Sequence, residues 1–223
     1  MINIAIDGPS GAGKSTVAKL VAAKLGITYL DTGAMYRACA LYAVRNGVSV
    51  DDEEAVKKIL QDIRISFTGE GESKKILLNG EDVSSAIREH YVSKAASDIS
   101  KLPSVRDYLV AQQRKIASET DVVLDGRDIT SNVLPHAEFK FFLTASADVR
   151  AMRRYKGLIA RGAEIEFEKV KADIIDRDKN DSQRAYAPLV LTPDSMLIDS
   201  SDMSPEQVAD LIISRVSDGR RGR

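Results

Sequence analysis

The segment Gly8-Pro9-Ser10-Gly11-Ala12-Gly13-Lys14-Ser15 fits the pattern G-x-x-x-x-G-K-[ST], a loop built to hold phosphate. Glycines let the backbone come close to an anion, and successive N–H groups then point inward at it. A helix starting at Lys14 would add the partial positive charge of its N-terminus. Lys14 can reach the β- and γ-phosphates of a nucleoside triphosphate, and the Ser15 hydroxyl can ligate Mg²⁺. Thr16 follows as a second hydroxyl, but Ser15 holds the metal-ligating place in the pattern.

Such a loop does not say what is done with the triphosphate. A guanine-reading Asn-Lys-x-Asp is absent, and Lys179-Asn180-Asp181 has the wrong order, which argues against a GTPase. The loop falls within the first fifteen residues of a 223-residue chain, a layout that suits a small kinase. A kinase whose acceptor is itself phosphorylated must bring several negative charges together, and arginines neutralise them and align the two phosphates. Arg37, Arg106, Arg127, Arg153, Arg154, Arg161, Arg177 and Arg184 form the available set. Most single arginines are solvated surface cations. Arg127 is the exception, because it follows an apolar strand within Gly126-Arg127-Asp128. A phosphate acceptor is already largely ionised near neutral pH, its second pKa being about 6. It needs no general base, and the sequence offers no histidine or carboxylate dyad for that role.

The elements that must position these residues can be read from periodicity. Ile2, Ile4, Ala5 and Ile6 predict a buried first strand ahead of the loop. Val17, Leu20, Val21, Ala22 and Leu25 recur at helical spacing, with Gly26 as the stop. A strand over Ile27–Asp31, a helix from Gly33 to Asn46 and a short helix from Asp51 to Gln61 follow, the last capped by Asp51 or Asp52. Ile63, Ile65 and Phe67 alternate with polar residues. Gly69-Glu70-Gly71 turns the chain, Lys74–Leu78 returns, and Asn79-Gly80 turns it again toward a strand near Val83. This antiparallel meander, at about residues 63–92, reads as an insertion in an α/β chain. Helices are expected at Ser84–Ser97 and Ser104–Ser118, and strands at Val122–Leu124, Phe139–Leu143 and Met196–Ile198. A charged helical stretch runs from Ala147 to Lys179 with a break near Gly162. The closing helix spans Ser204–Val216 with a capping box of Ser204 and Gln207, and Arg220-Arg221-Gly222-Arg223 reads as a solvated tail.

Apolar strands alternating with helices predict a three-layer α/β/α domain with a parallel sheet and the site at its carboxyl edge. The whole chain, 1–223, is expected to be one such domain with the insertion. The net charge of −1 gives no field for nucleic acid or an anionic membrane. No apolar run approaches a membrane span, and the first strand leaves no room for a signal peptide. Cys39 is the only cysteine and reads as a buried thiol, while His90 and His136 stand too far apart for a His/Cys metal site. A cytoplasmic location is the expectation.

Taken together, Gly8 to Thr16, Leu30-Asp31-Thr32-Gly33-Ala34-Met35-Tyr36-Arg37, Asp125-Gly126-Arg127-Asp128, Arg177-Asp178 to Arg184-Ala185, and Ala187-Pro188-Leu189 resemble the bacterial cytidylate (CMP) kinases. The resemblance runs from the first strand to the last helix. It implies transfer of the γ-phosphate of ATP to CMP or dCMP with Mg²⁺, by a monomer with a P-loop core, an enlarged monophosphate domain and a helical lid at about 150–165. It implies that Arg37 and Arg127 bind the CMP phosphate. Thr32, Ser97, Arg106, Asp128 and Arg184 would surround cytosine, near Tyr36 of the same motif. Arg177 and Asp181 would contact the ribose, and Arg177 would assist catalysis with Lys14, Arg127 and Arg153. Arg153 and Arg154 would fold over ATP, one of the two being left exposed because neighbours on a helix cannot both face inward. Thr32 stands where the family often carries serine, which keeps the hydroxyl. Asp125 reads equally as a metal neighbour or as the organiser of the Gly126-Arg127 turn. The rival readings are a P-loop kinase for another small acceptor, such as UMP or shikimate, and a nucleotide-binding protein without turnover.

Replacement of Lys14 by alanine is expected to abolish most phosphoryl transfer while the fold survives, measured by coupled ADP release alongside thermal denaturation. Near-normal turnover would remove the loop from the chemistry.

Overall fold

The computed structural model describes residues 1–69 and 75–221. Most of the Gly69–Gly71 turn, the strand start at Lys74 and the terminal Gly222-Arg223 lie outside them. The chain divides into two compact units, Met1–Leu30 with Glu119–Arg223, and Asp31–Ser118.

The first unit is built on a five-stranded sheet. In chain order its strands are β1 (Asn3–Asp7), β2 (Thr28–Asp31), β6 (Val122–Asp125), β7 (Phe139–Thr144) and β8 (Met196–Asp199), arranged β2-β6-β1-β7-β8. β1 runs parallel to both β6 and β7, and β7 runs parallel to β8. The central strand is buried over Ile4–Asp7, and β6 is buried throughout. These short, continuously apolar strands cannot alternate, because helices cover both faces of a parallel sheet. Ile4, Ile6, Val123, Phe141 and Leu143 of the sheet join Val17 and Val21 of α1 (Lys14–Leu25) and Val208 and Ile212 of α8 (Pro205–Arg221) in one core cluster. α1 ends at Gly26 in a left-handed conformation, whose N–H donates to the Ala22 carbonyl. α8 opens with the expected capping box: Gln207 N donates to Ser204 Oγ at 3.2 Å, and Ser204 N donates to Gln207 Oε1 at 2.8 Å. It runs to Arg221 rather than stopping at Val216, so the first two tail arginines are helical.

The charged stretch forms two helices, α6 (Ala147–Ile159) and α7 (Phe167–Gln183), which pack together. The break between them is wider than the sequence indicates, taking in all of residues 160–166.

The second unit contains α2 (Thr32–Arg45), α3 (Glu53–Ile59), α4 (His90–Ile99), α5 (Pro103–Glu119, of which Glu119 falls to the first unit) and a three-stranded antiparallel sheet. Its strands are β3 (Ile65–Thr68), β4 (Lys75–Leu78) and β5 (Glu81–Asp82). Ile65 pairs with Leu78, and Phe67 with Ile76, placing apolar residues on one face. The third strand is two residues long and ends before Val83, which is buried and donates its N–H to the Ile76 carbonyl at 3.1 Å. Asp52, not Asp51, caps α3, accepting from Ala55 N at 3.0 Å. The helix expected over Ser84–Ser97 splits at Glu89 into a single turn, Ala86–Arg88, and α4. Each piece buries its own apolar residues, Ile87 in the turn and Val92, Ala95, Ala96 and Ile99 in α4. α4 packs on α2, where Cys39 is fully buried and its thiol is pushed up to about 12 by burial.

Gly8, where β1 turns into the loop, has φ +147°, and a Cβ there would lie 1.9 Å from the Leu143 carbonyl oxygen of β7. The overlap is with backbone, so it cannot be relieved by a rotamer change. Gly8→Ala is therefore expected to destabilise the protein by about 2 kcal/mol or more, read as a drop in the thermal midpoint. An unchanged midpoint would mean that the β1–β7 approach is slack.

Candidate functional site

Four strands of the first sheet, β1, β2, β6 and β8, end in an aspartate: Asp7, Asp31, Asp125 and Asp199. In a parallel sheet the carboxyl edge is where ligands bind, and the loop leaves from Asp7 on the central strand.

Lys14 is buried, and its Nζ donates to the Pro9 carbonyl at 2.8 Å, closing the loop on itself. Burial, reinforced by the charge of Arg127, lowers its pKa to about 7, while Asp125, Asp181 and Asp7 pull the other way. Gly8, Pro9, Ser10 and Ala12 are buried along the loop, whereas Ser15 and Thr16 are exposed at the start of α1. Ser15 Oγ donates to Asp125 Oδ2 at 2.8 Å, and Tyr29 Oη donates to Asp125 Oδ1 at 2.8 Å. Asp125 therefore faces the loop. A hydroxyl beside a carboxylate oxygen is the hard-oxygen donor set that suits Mg²⁺ with phosphates and waters completing the shell, so Ser15 and Asp125 fit the metal that the loop's chemistry calls for.

Beyond β6 the chain turns through Gly126-Arg127-Asp128 into a single wide helical turn, Ile129–Val133. Arg127 Nε donates to Asp181 Oδ2 at 2.6 Å, an ion pair whose side chains are 19% and 9% exposed. Burial alone would raise the Asp181 carboxyl, but Arg127, Arg177 and Arg184 together hold it below the usual carboxylate range. Arg184 Nη2 donates to Asp128 Oδ1 at 3.2 Å and its Nε to the Ala187 carbonyl at 2.5 Å. Asn132 Nδ2 donates to Asp128 Oδ2 at 3.0 Å. In the first unit, then, Lys14, Ser15, Arg127, Asp128, Arg177, Asp181 and Arg184 belong to one polar cluster around the strand ends.

Arg153 donates through Nη1 to Ser200 Oγ at 3.1 Å and through Nη2 to the Ser200 carbonyl at 2.6 Å. Its Nη1 lies 4.0 Å from the position a Cβ on Gly13 would take, so it flanks the loop. Arg153 and Arg154 are both half-buried, and neither is the exposed partner that helix geometry led us to expect. Long arginine stems cover apolar surface on a helix flank while their heads reach polar neighbours, so adjacent positions need not segregate cleanly.

In the second unit, Asp31 caps α2 by accepting from Ala34 N at 2.9 Å, and Thr32 is buried in its first turn. Arg37 folds back over that turn: its Nη1 lies 3.5 Å from where a Cβ on Gly33 would sit. The Arg106 guanidinium, 1% exposed, lies 5.5 Å over the Tyr36 ring and donates to the Ser100 carbonyl at 3.1 Å. Ser97 is half-buried on α4, and its carbonyl accepts from Ser100 Oγ at 2.8 Å.

Four residues that the sequence did not single out shape the site. Tyr29 holds Asp125, and Asn132 holds Asp128. Ser200 anchors Arg153 and donates to the Ala12 carbonyl of the loop at 3.3 Å. Asp7, fully buried, accepts from Ile129 N at 2.9 Å, Thr130 N at 2.7 Å and Thr130 Oγ1 at 2.7 Å. Its position as a charge at the end of an otherwise apolar strand was the available signal.

A P-loop at the carboxyl end of the central strand of a parallel sheet, backed by buried arginine–carboxylate pairs, defines a nucleotide-binding protein of the phosphotransferase class. The chain belongs to the cytidylate kinase family, whose model matches residues 4–218. It is 47% identical to a cytidylate kinase of Caldanaerobacter subterraneus subsp. tengcongensis over 99% of this chain and 97% of that one. A cytidylate kinase of Carboxydothermus hydrogenoformans is also 47% identical, over 93% of each chain. An uncharacterised protein from Eubacterium ventriosum of known structure shares the fold, with a TM-score of 0.56 at 14% identity over 97% of this chain and 99% of that one.

Burial raises the Asp7 pKa to about 6, with a smaller push from Asp128, against the hydrogen bonds from Thr130 and Ile129. An acid whose pKa is higher folded than unfolded binds protons on folding. Its contribution to stability is full below about pH 4 and is lost as the pH rises through about 6. Relative to Asp7→Asn, the wild type should therefore lose about 1–3 kcal/mol between pH 4 and 6.5, measured by urea unfolding. Parallel pH profiles for the two proteins would contradict the assignment.

Proposed function

We propose that the protein transfers the γ-phosphoryl group of ATP to CMP or dCMP, releasing ADP and CDP or dCDP. The observation that carries this reading is the Arg127-Asp128 turn after β6, each of its charges matched to a partner on or just after α7. A protein that only held ATP would have no use for a second, arginine-rich anion site beyond the loop.

In this reading the loop N–H groups and Lys14 hold the donor phosphates, and Ser15 holds Mg²⁺ with Asp125 beside it. The ion, when bound, neutralises charge on the β- and γ-phosphate oxygens. Lys14 and Arg127 repel one another, and a phosphoryl group bound near both would be attracted by each. Arg127 and Arg37 orient the acceptor phosphate. Arg177, whose charge is felt by Asp181, and Arg153, flanking Gly13, stabilise the phosphoryl group in flight. Arg154 belongs with Arg153 on the ATP side. The acceptor is a phosphate oxygen already ionised at neutral pH, so positioning and charge neutralisation do the work, with no base removing a proton.

Base choice follows from donors and acceptors. The Asp128 carboxylate, oriented by Arg184 and Asn132, accepts a hydrogen bond from the 4-amino group of cytosine. Uracil presents a carbonyl there, and two acceptors facing each other in a buried site cost about 1–3 kcal/mol. Arg106, held over Tyr36, and Thr32 and Ser97 line the base in this account, and Asp181 accepts from the ribose hydroxyls.

The test is a coupled ADP-release assay with ATP and Mg²⁺, offering CMP, dCMP, UMP, AMP, GMP and shikimate separately. Strong turnover confined to CMP and dCMP is expected, with UMP at least tenfold lower in kcat/KM. Silence across all six acceptors, with ATP still bound, would return the chain to nucleotide binding without transfer.

A further inference from the structure

The phosphate-binding loop is held from outside as well as by its own lysine. At Ser10 both polar groups of the backbone are taken: the N–H donates to Asp178 Oδ1 at 3.3 Å, and the carbonyl accepts from Arg150 Nη1 at 3.0 Å. Arg150 Nη1 also donates to Asp178 Oδ2 at 2.5 Å, and its Nε to the Ala145 carbonyl at 2.8 Å. Arg150 is 7% exposed. The next residue, Gly11, rests on the same arginine, since a Cβ on it would lie 2.9 Å from the Arg150 carbonyl oxygen and 3.0 Å from its Cβ. A residue of this loop that would otherwise be free to turn its N–H toward phosphate is thus committed to a carboxylate on α7.

That helix carries acceptor chemistry as well. Asp178 directly follows Arg177, and Asp181 lies three residues further on, within one helical turn, where it binds Arg127 at 2.6 Å. A hydrogen-bonded helix turn moves as a unit. Any shift of α7 that accompanies engagement of Arg177 and Asp181 must therefore pull on the Ser10 backbone through Asp178.

We propose that Asp178, bridged to the loop with Arg150, is a positioning residue that links the acceptor side of the site to the geometry of the donor-phosphate loop. The inference rests on the proposed ATP and CMP chemistry. It makes binding of the two nucleotides mutually dependent, and by linkage the dependence is reciprocal. A part-buried ion pair that served stability alone would lower both affinities or neither, without altering how one nucleotide affects the other.

The experiment is isothermal titration of a non-hydrolysable ATP analogue with Mg²⁺, with and without saturating CMP, on the wild type and Asp178→Asn. The wild type should bind the analogue about 5- to 10-fold more tightly when CMP is present. Asp178→Asn should bring that ratio to within about twofold of one, with CMP affinity in the absence of the analogue changed by less. If Asp178→Asn does not fold, Arg150→Lys carries the same test, since a lysine keeps the charge but cannot span Asp178, Ser10 and Ala145 together. A wild type without coupling, or a variant that keeps the full ratio, overturns the inference. CMP turnover by the wild type, followed in parallel, stands or falls separately, and a wild type that binds no CMP removes the function on which the inference rests.

Discussion

The structure depends on keeping two cations, the buried Lys14 and the half-buried Arg127, at the carboxyl edge of one sheet. Burial lowers the pKa of Lys14, and the like charge of Arg127 lowers it further. Carboxylates make the arrangement tolerable: Asp181 pairs with Arg127, and Asp125 and Asp7 raise the affinity of Lys14 for its proton. A phosphate-handling site must be cationic enough to attract its ligand and balanced enough to fold without it. Strand-end aspartates meet both needs because the short strands of a parallel sheet all deliver their last residues to one edge.

Once that balance is in place, each acidic residue has a second task. Asp125 receives Ser15 on one oxygen and Tyr29 on the other, so the loop's hydroxyl and the strand are tied together. Asp7 fixes the backbone just after Arg127-Asp128 with three hydrogen bonds. Its burial opposes ionisation, yet the donors around it require an acceptor, and the raised pKa records that conflict. Asp178 grips the crest of the loop from α7. The loop is consequently defined from its start, its crest and its helical end, by residues from four different elements. Preorganisation of this kind is what a reaction needing only alignment and charge neutralisation requires.

Second-unit residues fall under the same logic at smaller scale. Arg106 is almost fully buried, and an aromatic face and a backbone carbonyl are among the groups that accommodate it. A planar, weakly hydrated guanidinium tolerates such surroundings where an ammonium would not.

Much of this was legible in the chain itself. The order of strands and helices, the loop from Gly8 to Ser15, the Gly26 stop and the Ser204–Gln207 capping box are local patterns, set by spacing and by the conformations single residues allow. The meander was legible for the same reason, since alternation and a turn residue are read over a few positions. Where the reading slipped, the cause was packing. Glu89 interrupts a helix because two short apolar faces are buried separately, and Arg154 is half-covered because long stems lie along apolar surface. Tyr29, Asn132, Ser200 and Asp7 gave little local signal because their partners lie 4 to 188 positions away along the chain. Sequence alone therefore determined the phosphate chemistry and the family, which reside in contiguous motifs of fixed residue type. Only the tertiary structure decided which carboxylate holds which cation, because that choice depends on which strand ends and helix faces meet in space.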